Sequence, residues 1–466
     1  MLFPTLTFAV FFALVYPVCW LLRWRDGAWK VFVLGASYYF YASWDRRFVL
    51  LIFASSVVNT LLARRLARNA QSRDAGGHST GWRGDRAVLV LAIGLNLIGL
   101  GVFKYYGFFV ESLNAALRAT GAPGRLPFVE VIVPVGISFF TFQAISYVVD
   151  VYHRRIPPAP WLDVAVYLTF FPHLVAGPIV RATEFLPQLH LPRALPRRTA
   201  TRAALLICQG LFKKVVISSY VATTIVDPVF GVPAQYSALE IIVAVYGYAV
   251  QIYADFSGYT DMAIGIALLL GITFPQNFDR PYTAVSLQDF WRRWHMTLSR
   301  WLRDYLYIPL GGSRKGEWQA SRNIFLTMTL GGLWHGAALT FLAWGVFHGV
   351  LLAVERVGRR WLGPPGDGWP HPLLGRLLTF HVVCIGWVLF RADSLATAGE
   401  LLQRSITSWG PAPAVTAGPV AVIAASLALQ ALPTGWALRF EAGFAELPLP
   451  VQGVALGTFF ALVVAL

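Results

Sequence analysis

Charged side chains are scarce in this sequence. Only 13% of its 466 residues are Asp, Glu, Lys or Arg, and 56% are hydrophobic, whereas a soluble globular chain carries about 25% charged residues. The mean hydropathy is +0.58. This shortage of charge excludes an ordinary soluble domain and predicts an integral membrane protein. No long polar linker divides the chain, so we expect one polytopic domain over residues 1–466.

Cysteine is also rare, and several catalytic motifs are missing. The three cysteines lie inside apolar runs without metal or redox spacing, as small buried hydrophobic residues do (Cys19, Cys208 and Cys384). The chain has no HExxH pair and no Cys and His set at ligand spacing, so we expect no metal. It has no GxSxG, which argues against a serine nucleophile of that type. We expect no bound cofactor.

Acidic residues are fewer than basic ones, and the net charge is +15. In a soluble protein this excess would suggest nucleic acid, but in a membrane protein the preference of basic loops for the cytoplasm accounts for it. We therefore expect no nucleic-acid partner. The run Leu2–Leu22 lacks a basic start and a cleavage site, so we expect a retained transmembrane helix. Counting spans back from the arginine-rich stretch 64–86 puts the N-terminus outside the cytoplasm.

Apolar runs of about 20 residues mark the membrane spans. We expect an all-α protein with about ten to twelve transmembrane and re-entrant helices. Two runs, Leu162–Val180 and Ile324–Val354, contain Gly or Pro and have basic residues on both flanks. A simple crossing by either would violate the charge rule, so we expect broken backbone there. Such backbone is tolerated at membrane depth only where it is buried in protein or lines a cavity.

The stretch Ser286–Tyr307 predicts one amphipathic helix. Ser286 and Asp289 form a capping-box start, and a proline and a glycine follow its end. An aromatic stripe, which we expect at the membrane boundary, comprises Trp291, Trp294, Leu298, Trp301 and Tyr305. The neighbouring polar stripe comprises Arg292, His295, Ser299 and Arg303. An anchoring helix would account for the arginines but not for His295, which favours a functional role.

Histidines inside apolar segments are the candidate reactive groups. His335 lies in GGLWHGA, where glycines permit close approach and Trp334 can form the wall of a pocket. An intramembrane histidine is costly unless it is used or well partnered, so we favour function at His335. His173, in the broken run FFPHLVAGPI, is a candidate for lining the same cavity, and His348 has either a structural or a supporting role. Histidine acting as general base in acyl transfer fits these residues.

Long motifs in this chain resemble those of the bacterial membrane-bound O-acyltransferases. They are DFWRRWHMTLSRWLRDYLYIPLGGSR, GGLWHGAALTFLAWGVFHG, VPVGISFFTFQAISYVVDVYHR, FFPHLVAGPIVRATEF, YADFSGYTDMAIG and PQNFDRPY. The resemblance extends from about Val131 to about Arg391. The IPLGG segment is similar to the alginate O-acetyltransferase branch of the family.

The resemblance implies a ring of helices around a central tunnel, with His335 catalytic at its centre and His295 on the cytoplasmic side. It implies that acetyl-CoA, a substrate rather than a cofactor, donates the acyl group from the cytoplasm. The acceptor would be an exopolysaccharide such as alginate, or a cell-wall glycan. The partners would be an extracytoplasmic SGNH-type acetyltransferase and the lipids of a bacterial inner membrane.

Polar residues of these motifs form the expected substrate site. Besides the two catalytic histidines, we expect Arg292, Arg293, Ser299, Arg303, Asp304, Asn277, Asp255, Trp334 and His173 there. Two alternatives stay open. One is D-alanyl transfer to teichoic acid, which is the same chemistry from a carrier-protein donor. The other is a lipid or glycan transporter without chemistry, for which a polar residue such as Asp255 inside a span is also typical.

Overall fold

The computed structural model describes residues 1, 3–74, 81–121, 125–362 and 372–465. Every regular element in these ranges is a helix, and they contain no strand, so the predicted all-α class is confirmed. The chain divides into two compact units, Met1–Leu195 with Ile266–Phe274, and Pro196–Gly265 with Pro275–Leu466. Residues 75–80, in the middle of the arginine-rich stretch, lie outside the described residues.

The first unit is built from eight described helices and one 3₁₀ turn. These are α1 (Leu6–Leu21), α2 (Asp26–Ala42), α3 (Arg47–Asp74), α4 (Gly81–Ala119), α5 (Ile137–Tyr152), α6 (Trp161–Thr169), α7 (Phe171–Leu174), α8 (Ala182–Phe185) and the turn Leu186–His190. A buried ion pair connects two of these helices, α2 and α6. Lys30 of α2 pairs with Asp26 at 2.8 Å and with Asp163 of α6 at 2.9 Å, as a buried ammonium group requires.

The run Leu162–Val180 is broken, as predicted. Helix α6 ends at Thr169, α7 has only four residues, and 175–181 are not helical. Gly136, before α5, lets this segment come close, because a side-chain carbon at Gly136 would lie 2.0 Å from the carbonyl oxygen of Leu174. The return of the segment to the cytoplasmic side stays a prediction.

The second unit contains the remaining described helices. These are α9 (Arg197–Leu211), α10 (Ser219–Val221), α11 (Asp227–Gly231), α12 (Ala238–Leu269), α13 (Leu287–Arg293), α14 (Met296–Leu302), α15 (Glu317–His335), α16 (Leu339–Leu362), α17 (Pro372–Arg391), α18 (Leu395–Thr407), α19 (Ala417–Ala431), α20 (Thr434–Glu446) and α21 (Leu449–Ala465). The last residues of α12 belong to the first unit. The π-helical turns Phe212–Ser218 and Ala222–Val226 join α9 to α11 as one long helix.

Six described helices are long and apolar enough to cross a membrane. They are Arg47–Ser72, Arg83–Ala119, Arg197–Gly231, Ala238–Leu269, Leu339–Arg359 and Pro372–Arg391. Helices α19 and α20 form a further apolar pair, bent by 90°, and three shorter apolar helices are Leu6–Leu21, Ile137–Tyr152 and Leu449–Val463. This set confirms a multi-pass membrane protein.

The run Ile324–Val354 is also broken, as predicted, and forms a tight hairpin. Helix α15 ends at His335, Gly336 is extended, and α16 begins at Leu339. The two helices meet backbone to backbone. A side-chain carbon on Gly332 would lie 2.4 Å from the carbonyl oxygen of Phe341, and one on Gly345 would lie 2.6 Å from that of Met328. His335 therefore stands at the turn of a rigid pair of helices.

The predicted single helix over Ser286–Tyr307 is wrong. It starts as expected, because the Ser286 hydroxyl accepts a hydrogen bond from the Asp289 amide at 3.2 Å. It then breaks at Trp294, which is extended, and at His295, which has a left-handed φ of 41°. The cause is tertiary: the carbonyl of Asn277 accepts a hydrogen bond from the amide of Met296 at 2.9 Å, and the Asn277 side chain bonds the next amide.

The aromatic residues of this segment pack in the core rather than at a membrane boundary, which corrects the second expectation for it. Trp294 is 4% exposed and Trp301 is 6% exposed. The ring centroid of Trp294 lies 4.8 Å from that of Trp387 and 5.1 Å from that of Phe278. An aromatic stripe at helical spacing suits an internal contact as well as an interface, and here internal packing prevails.

Candidate active site

His295 is a buried histidine held by an amide. It is 1% exposed, and its Nδ1 lies 3.1 Å from Oδ1 of Asn277. The same oxygen accepts hydrogen bonds from the backbone N–H of Thr297 at 3.1 Å and from its hydroxyl at 2.8 Å. The left-handed backbone at His295 is what turns its side chain toward Asn277 at the start of α14.

These contacts fix the tautomer of His295. A backbone N–H can only donate, so the Asn277 atom that faces Thr297 is the amide oxygen. Since Nδ1 of His295 faces that same oxygen, Nδ1 carries the proton and Nε2 carries the lone pair. Nε2 is buried and has no hydrogen-bond partner in the described chain. A buried imidazole with a free, correctly assigned lone pair suits a general base.

The surroundings of His295 keep it neutral. Burial lowers the pKa of His295 well below its ordinary value of 6.5, and charge on His335 lowers that pKa further. Its ring is also packed edge to face against Phe256, at 4.7 Å between centroids. His295 is therefore a neutral base at physiological pH.

His335 lies at the end of α15 among aromatic rings and is half-buried. Its ring centroid is 5.0 Å from Trp334, 5.2 Å from Trp344 and 5.2 Å from Phe390. Gly336 is needed beside it, because a side-chain carbon there would fall 2.1 Å from the ring of Phe341. The end of α15 and the turn after it thus place the imidazole in an apolar enclosure.

Trp334 connects the two candidate catalytic histidines. Its ring centroid lies 6.4 Å from that of His295 and 5.0 Å from that of His335. The structure therefore brings the two histidines of the RWH and WHG motifs to the same indole, although 40 residues separate them in the chain. Two imidazoles in one aromatic enclosure can move a proton between an attacking hydroxyl and a leaving group.

The charged residues predicted at the substrate lie on the segments that flank His295. Arg292 and Arg303 are exposed. Arg293 donates to Asp289 at 2.8 Å, and Arg303 pairs with the neighbouring Asp304 at 2.6 Å. Exposed guanidinium groups beside a buried base suit an anionic donor that enters from this side.

Three other predicted residues have specific structural partners. Ser299 donates to the carbonyl of Trp294 at 3.4 Å. Asp255 forms an ion pair with Lys214, in a span where a lone carboxylate would be costly. Asn277, expected at the substrate, is fully buried and holds His295 in place.

His173 lies in the first unit and is fully buried. Its Nε2 is 2.9 Å from the carbonyl oxygen of Tyr167 and 3.0 Å from the side-chain nitrogen of Gln143. Three phenylalanine rings, of Phe170, Phe185 and Phe274, lie within 6 Å of its ring. Its role in lining a substrate path stays a prediction.

Sequence reasoning missed the roles of Asn277, Trp344 and Phe390. Asn277 bonds the first amides of α14 as a helix-capping side chain does, but it lies 18 residues before His295, so no local pattern reveals it. Trp344 and Phe390 approach His335 only once α16 and α17 have packed.

The model of the membrane-bound O-acyltransferase family matches residues 85–390 of this chain. The match takes in parts of both units and contains His173, His295 and His335. It covers about two thirds of the sequence, so the resemblance noted in the motifs extends well beyond them.

Named relatives agree with this match. The Pseudomonas aeruginosa protein named "Probable alginate O-acetylase AlgI" is 40% identical over 414 residues, which are 86% of this chain and 75% of that protein. The peptidoglycan O-acetyltransferase of Helicobacter pylori is 36% identical over 404 residues, 81% of this chain and 73% of that protein. The teichoic acid D-alanyltransferase of Bacillus subtilis is 30% identical over 277 residues, 55% of this chain and 68% of that protein. The chain therefore belongs to the membrane-bound O-acyltransferase family and is an acyltransferase.

Proposed function

We propose that this enzyme takes acetyl groups from acetyl-CoA at the cytoplasmic face of a bacterial inner membrane and passes them across for O-acetylation of alginate or a cell-wall glycan. The observation that carries the proposal is the pair His295 and His335 on either side of Trp334, with the lone pair of His295 Nε2 unused. Similarity to two proteins named for O-acetyl transfer, over more than four fifths of this chain, supports acetyl as the group moved.

In the proposed mechanism the donor thioester enters beside His295. His335 takes the proton of the acceptor hydroxyl as its oxygen attacks the thioester carbon. The new C–O bond forms and the C–S bond breaks, and the proton passes from His335 through the free Nε2 of neutral His295 to the thiolate of coenzyme A. A transient acetyl group on His335 would divide the same chemistry into two steps.

Basic side chains favour an anionic donor. Arg292, Arg314 and Lys315 are exposed on the segments next to His295. Their charge attracts phosphates and raises the local donor concentration. Because basic loops stay in the cytoplasm, the donor arrives from that side, and the N-terminus is extracytoplasmic. An SGNH-type transferase outside the membrane is the proposed recipient that passes the acetyl group to the polymer.

D-alanyl transfer is the second candidate. Its support is the Bacillus subtilis relative, but that similarity covers 55% of this chain, against 86% for the Pseudomonas aeruginosa relative. Acetyl transfer is therefore favoured. Membership of an acyltransferase family decides against a transporter without chemistry.

The test uses the purified full-length protein with radiolabelled acetyl-CoA. We expect release of free coenzyme A, and a loss of about 100-fold or more in His335→Gln, because a positioned acid–base group contributes about 10²–10⁴. His381→Gln is the matched control, since His381 is exposed and bonds Tyr246 away from the site. Equal release by wild type and His335→Gln would refute the proposal. Cells fed labelled acetate or labelled D-alanine then distinguish the two donors by which label reaches the polymer.

A further inference from the structure

A third buried histidine lies near the site and takes no part in the proposed chemistry. His348 of α16 is fully buried. Neither of its ring nitrogens has a hydrogen-bond partner in the described chain. A neutral imidazole carries one donor and one acceptor, so both of its polar atoms are unsatisfied by protein.

The tryptophan rings around His348 also carry nitrogen atoms that lack a hydrogen-bond partner. Its ring centroid lies 5.3 Å from Trp291 and 5.0 Å from Trp344. The indole Nε1 atoms of both are also buried without a partner in the described chain. Unsatisfied buried polar atoms are rare, and each one is costly. Here the rings that carry these atoms pack against one another, which points to an occupant that the chain itself does not supply.

The chemistry of the group identifies that occupant. Indole nitrogens only donate, whereas the imidazole both donates and accepts, so the occupant must do both. Water does both, and a buried water typically makes about three hydrogen bonds to groups that are otherwise unsatisfied.

Gly386 of α17 packs closely against the imidazole. A side-chain carbon at Gly386 would lie 2.7 Å from Nε2 of His348, and the other atoms nearest to it also belong to that ring. The glycine thus lets α17 pack directly against the imidazole and helps to fix the position of the ring.

Trp344 links this group to the candidate active site. Its ring centroid lies 5.0 Å from that of His348 and 5.2 Å from that of His335, so one indole contacts both histidines. Whatever fixes Trp344 on the His348 side also fixes the surface against which His335 packs.

We propose that His348, Trp291 and Trp344 enclose buried water beside the active site, and that His348 is a positioning residue that holds Trp344 against His335 through this water. The proposal rests on the acyl transfer proposed above. Its first test, however, needs no turnover. A density map of the full-length protein at a resolution that shows ordered water should contain a peak about 2.7–3.2 Å from a His348 ring nitrogen. A ring packed without water in such a map would overturn the proposal.

The second test compares substitutions that differ in hydrogen bonding. His348→Phe keeps a ring but no polar atom, and we expect kcat to fall by up to about 100-fold, the effect of a ~1 Å misplacement, with KM for acetyl-CoA unchanged. His348→Gln retains a donor and an acceptor, so it should keep most of the wild-type kcat. Gly386→Ala should act like His348→Phe, because its methyl group would lie 2.7 Å from Nε2 and displace the ring from its place beside Trp344. Gly399→Ala, where no atom lies within 4 Å of the added carbon, is its control.

The outcomes separate this proposal from the proposed function. Wild-type kcat in His348→Phe, or equal losses in His348→Phe and His348→Gln with both variants folded, would overturn the role of the water. A wild-type protein that releases no coenzyme A would instead refute the acyl donor, and the density peak would still decide the water site. If His348→Phe does not fold, Gly386→Ala and the map carry the test.

Discussion

Oδ1 of Asn277 lies 3.1 Å from Nδ1 of His295 and 3.1 Å from the backbone amide of Thr297. One side-chain oxygen therefore caps the start of α14 and assigns the proton of the histidine that precedes this helix. The break in the helix and the presentation of the base are a single structural arrangement.

Asn277→Asp should change the pH dependence of the reaction. A carboxylate beside Nδ1–H stabilises the imidazolium, so it raises the pKa of His295, which burial lowers in the native protein. The neutral base is lost as pH falls through its pKa, so a raised pKa moves the acid limb of kcat/KM to higher pH, by about one unit or more. Rates measured from about pH 5 to 8 test this. Asn114→Asp, at a half-buried position of α4 in the first unit, should leave the profile unchanged, and an unmoved acid limb in Asn277→Asp would contradict the assigned tautomer.

Substitutions that remove the imidazole of His295 should be equally inactive but differ in stability, because the backbone at this position is left-handed. Its φ of 41° is left-handed, which Asn tolerates and β-branched residues do not. Both His295→Asn and His295→Val lose the imidazole, but we expect His295→Val to be less stable by about 1–2 kcal/mol. Thermal unfolding in one detergent measures the difference. Equal midpoints would show that the strained backbone relaxes at no cost.

Alanine substitutions in the hairpin of α15 and α16 should destabilise the protein at Gly332 and Gly345 but not at Gly358. Gly332→Ala and Gly345→Ala place a carbon 2.4 Å and 2.6 Å from backbone oxygens, so we expect a loss of about 1–3 kcal/mol from overpacking and reduced activity at His335. Gly358 lies on α16, as Gly345 does, and a side-chain carbon added there would have no atom within 4 Å. Gly358→Ala is therefore the control. It should be neutral or stabilising by about 0.4–1 kcal/mol. Unfolding midpoints decide, and similar effects at the three positions would disprove the close helix contact.

Substitutions of Lys213 and Asp261, which form an ion pair, should have strongly coupled effects on the free energy of unfolding. The charged atoms of the pair are 2.7 Å apart, and the side chains are 17% and 16% exposed. Lys213→Leu leaves a carboxylate unpaired inside a span, so we expect a cost of about 3–5 kcal/mol. Adding Asp261→Leu should recover most of that stability, because two leucines need no partner. A double variant as unstable as the single one would show that the pair does more than neutralise charge. Lys315→Leu, at an exposed turn, serves as the reference, with an effect within about 0.5 kcal/mol.

Sequence reasoning predicted a multi-pass helical membrane protein and two of the breaks for physical reasons that act locally. A long apolar run has few alternatives to a membrane helix, and basic flanks on both sides of Leu162–Val180 and Ile324–Val354 rule out a plain crossing. The break at His295 was not predictable in this way. The segment carries good helical spacing and a correct start at Ser286, and the residue that interrupts it lies in a different part of the chain.

The candidate active site shows the same contrast between features that local sequence predicts and features that depend on tertiary packing. His335 was identified because an intramembrane imidazole is costly, and His295 because an anchoring helix does not account for it; both lie in recognisable motifs. The partner that fixes the tautomer of His295 and the rings around His335 depend on which helices meet. Asp255 was expected at the substrate because it is a polar residue of a recognisable motif, whereas its ion pair with Lys214 depends on the packing of α9 through α11 against α12.

The glycine-packed hairpin has a consequence for how this protein is made. The contacts of Gly332 with Phe341 and of Gly345 with Met328 join residues fewer than 20 positions apart, so closing them costs little chain entropy. The hairpin can therefore form as soon as Leu362 has left the ribosome, and the backbone that carries His335 is set at that point. Phe390, which completes the wall around its ring, is synthesised later. A nascent chain stalled before α17 thus holds a formed hairpin whose reaction centre still lacks the ring of Phe390.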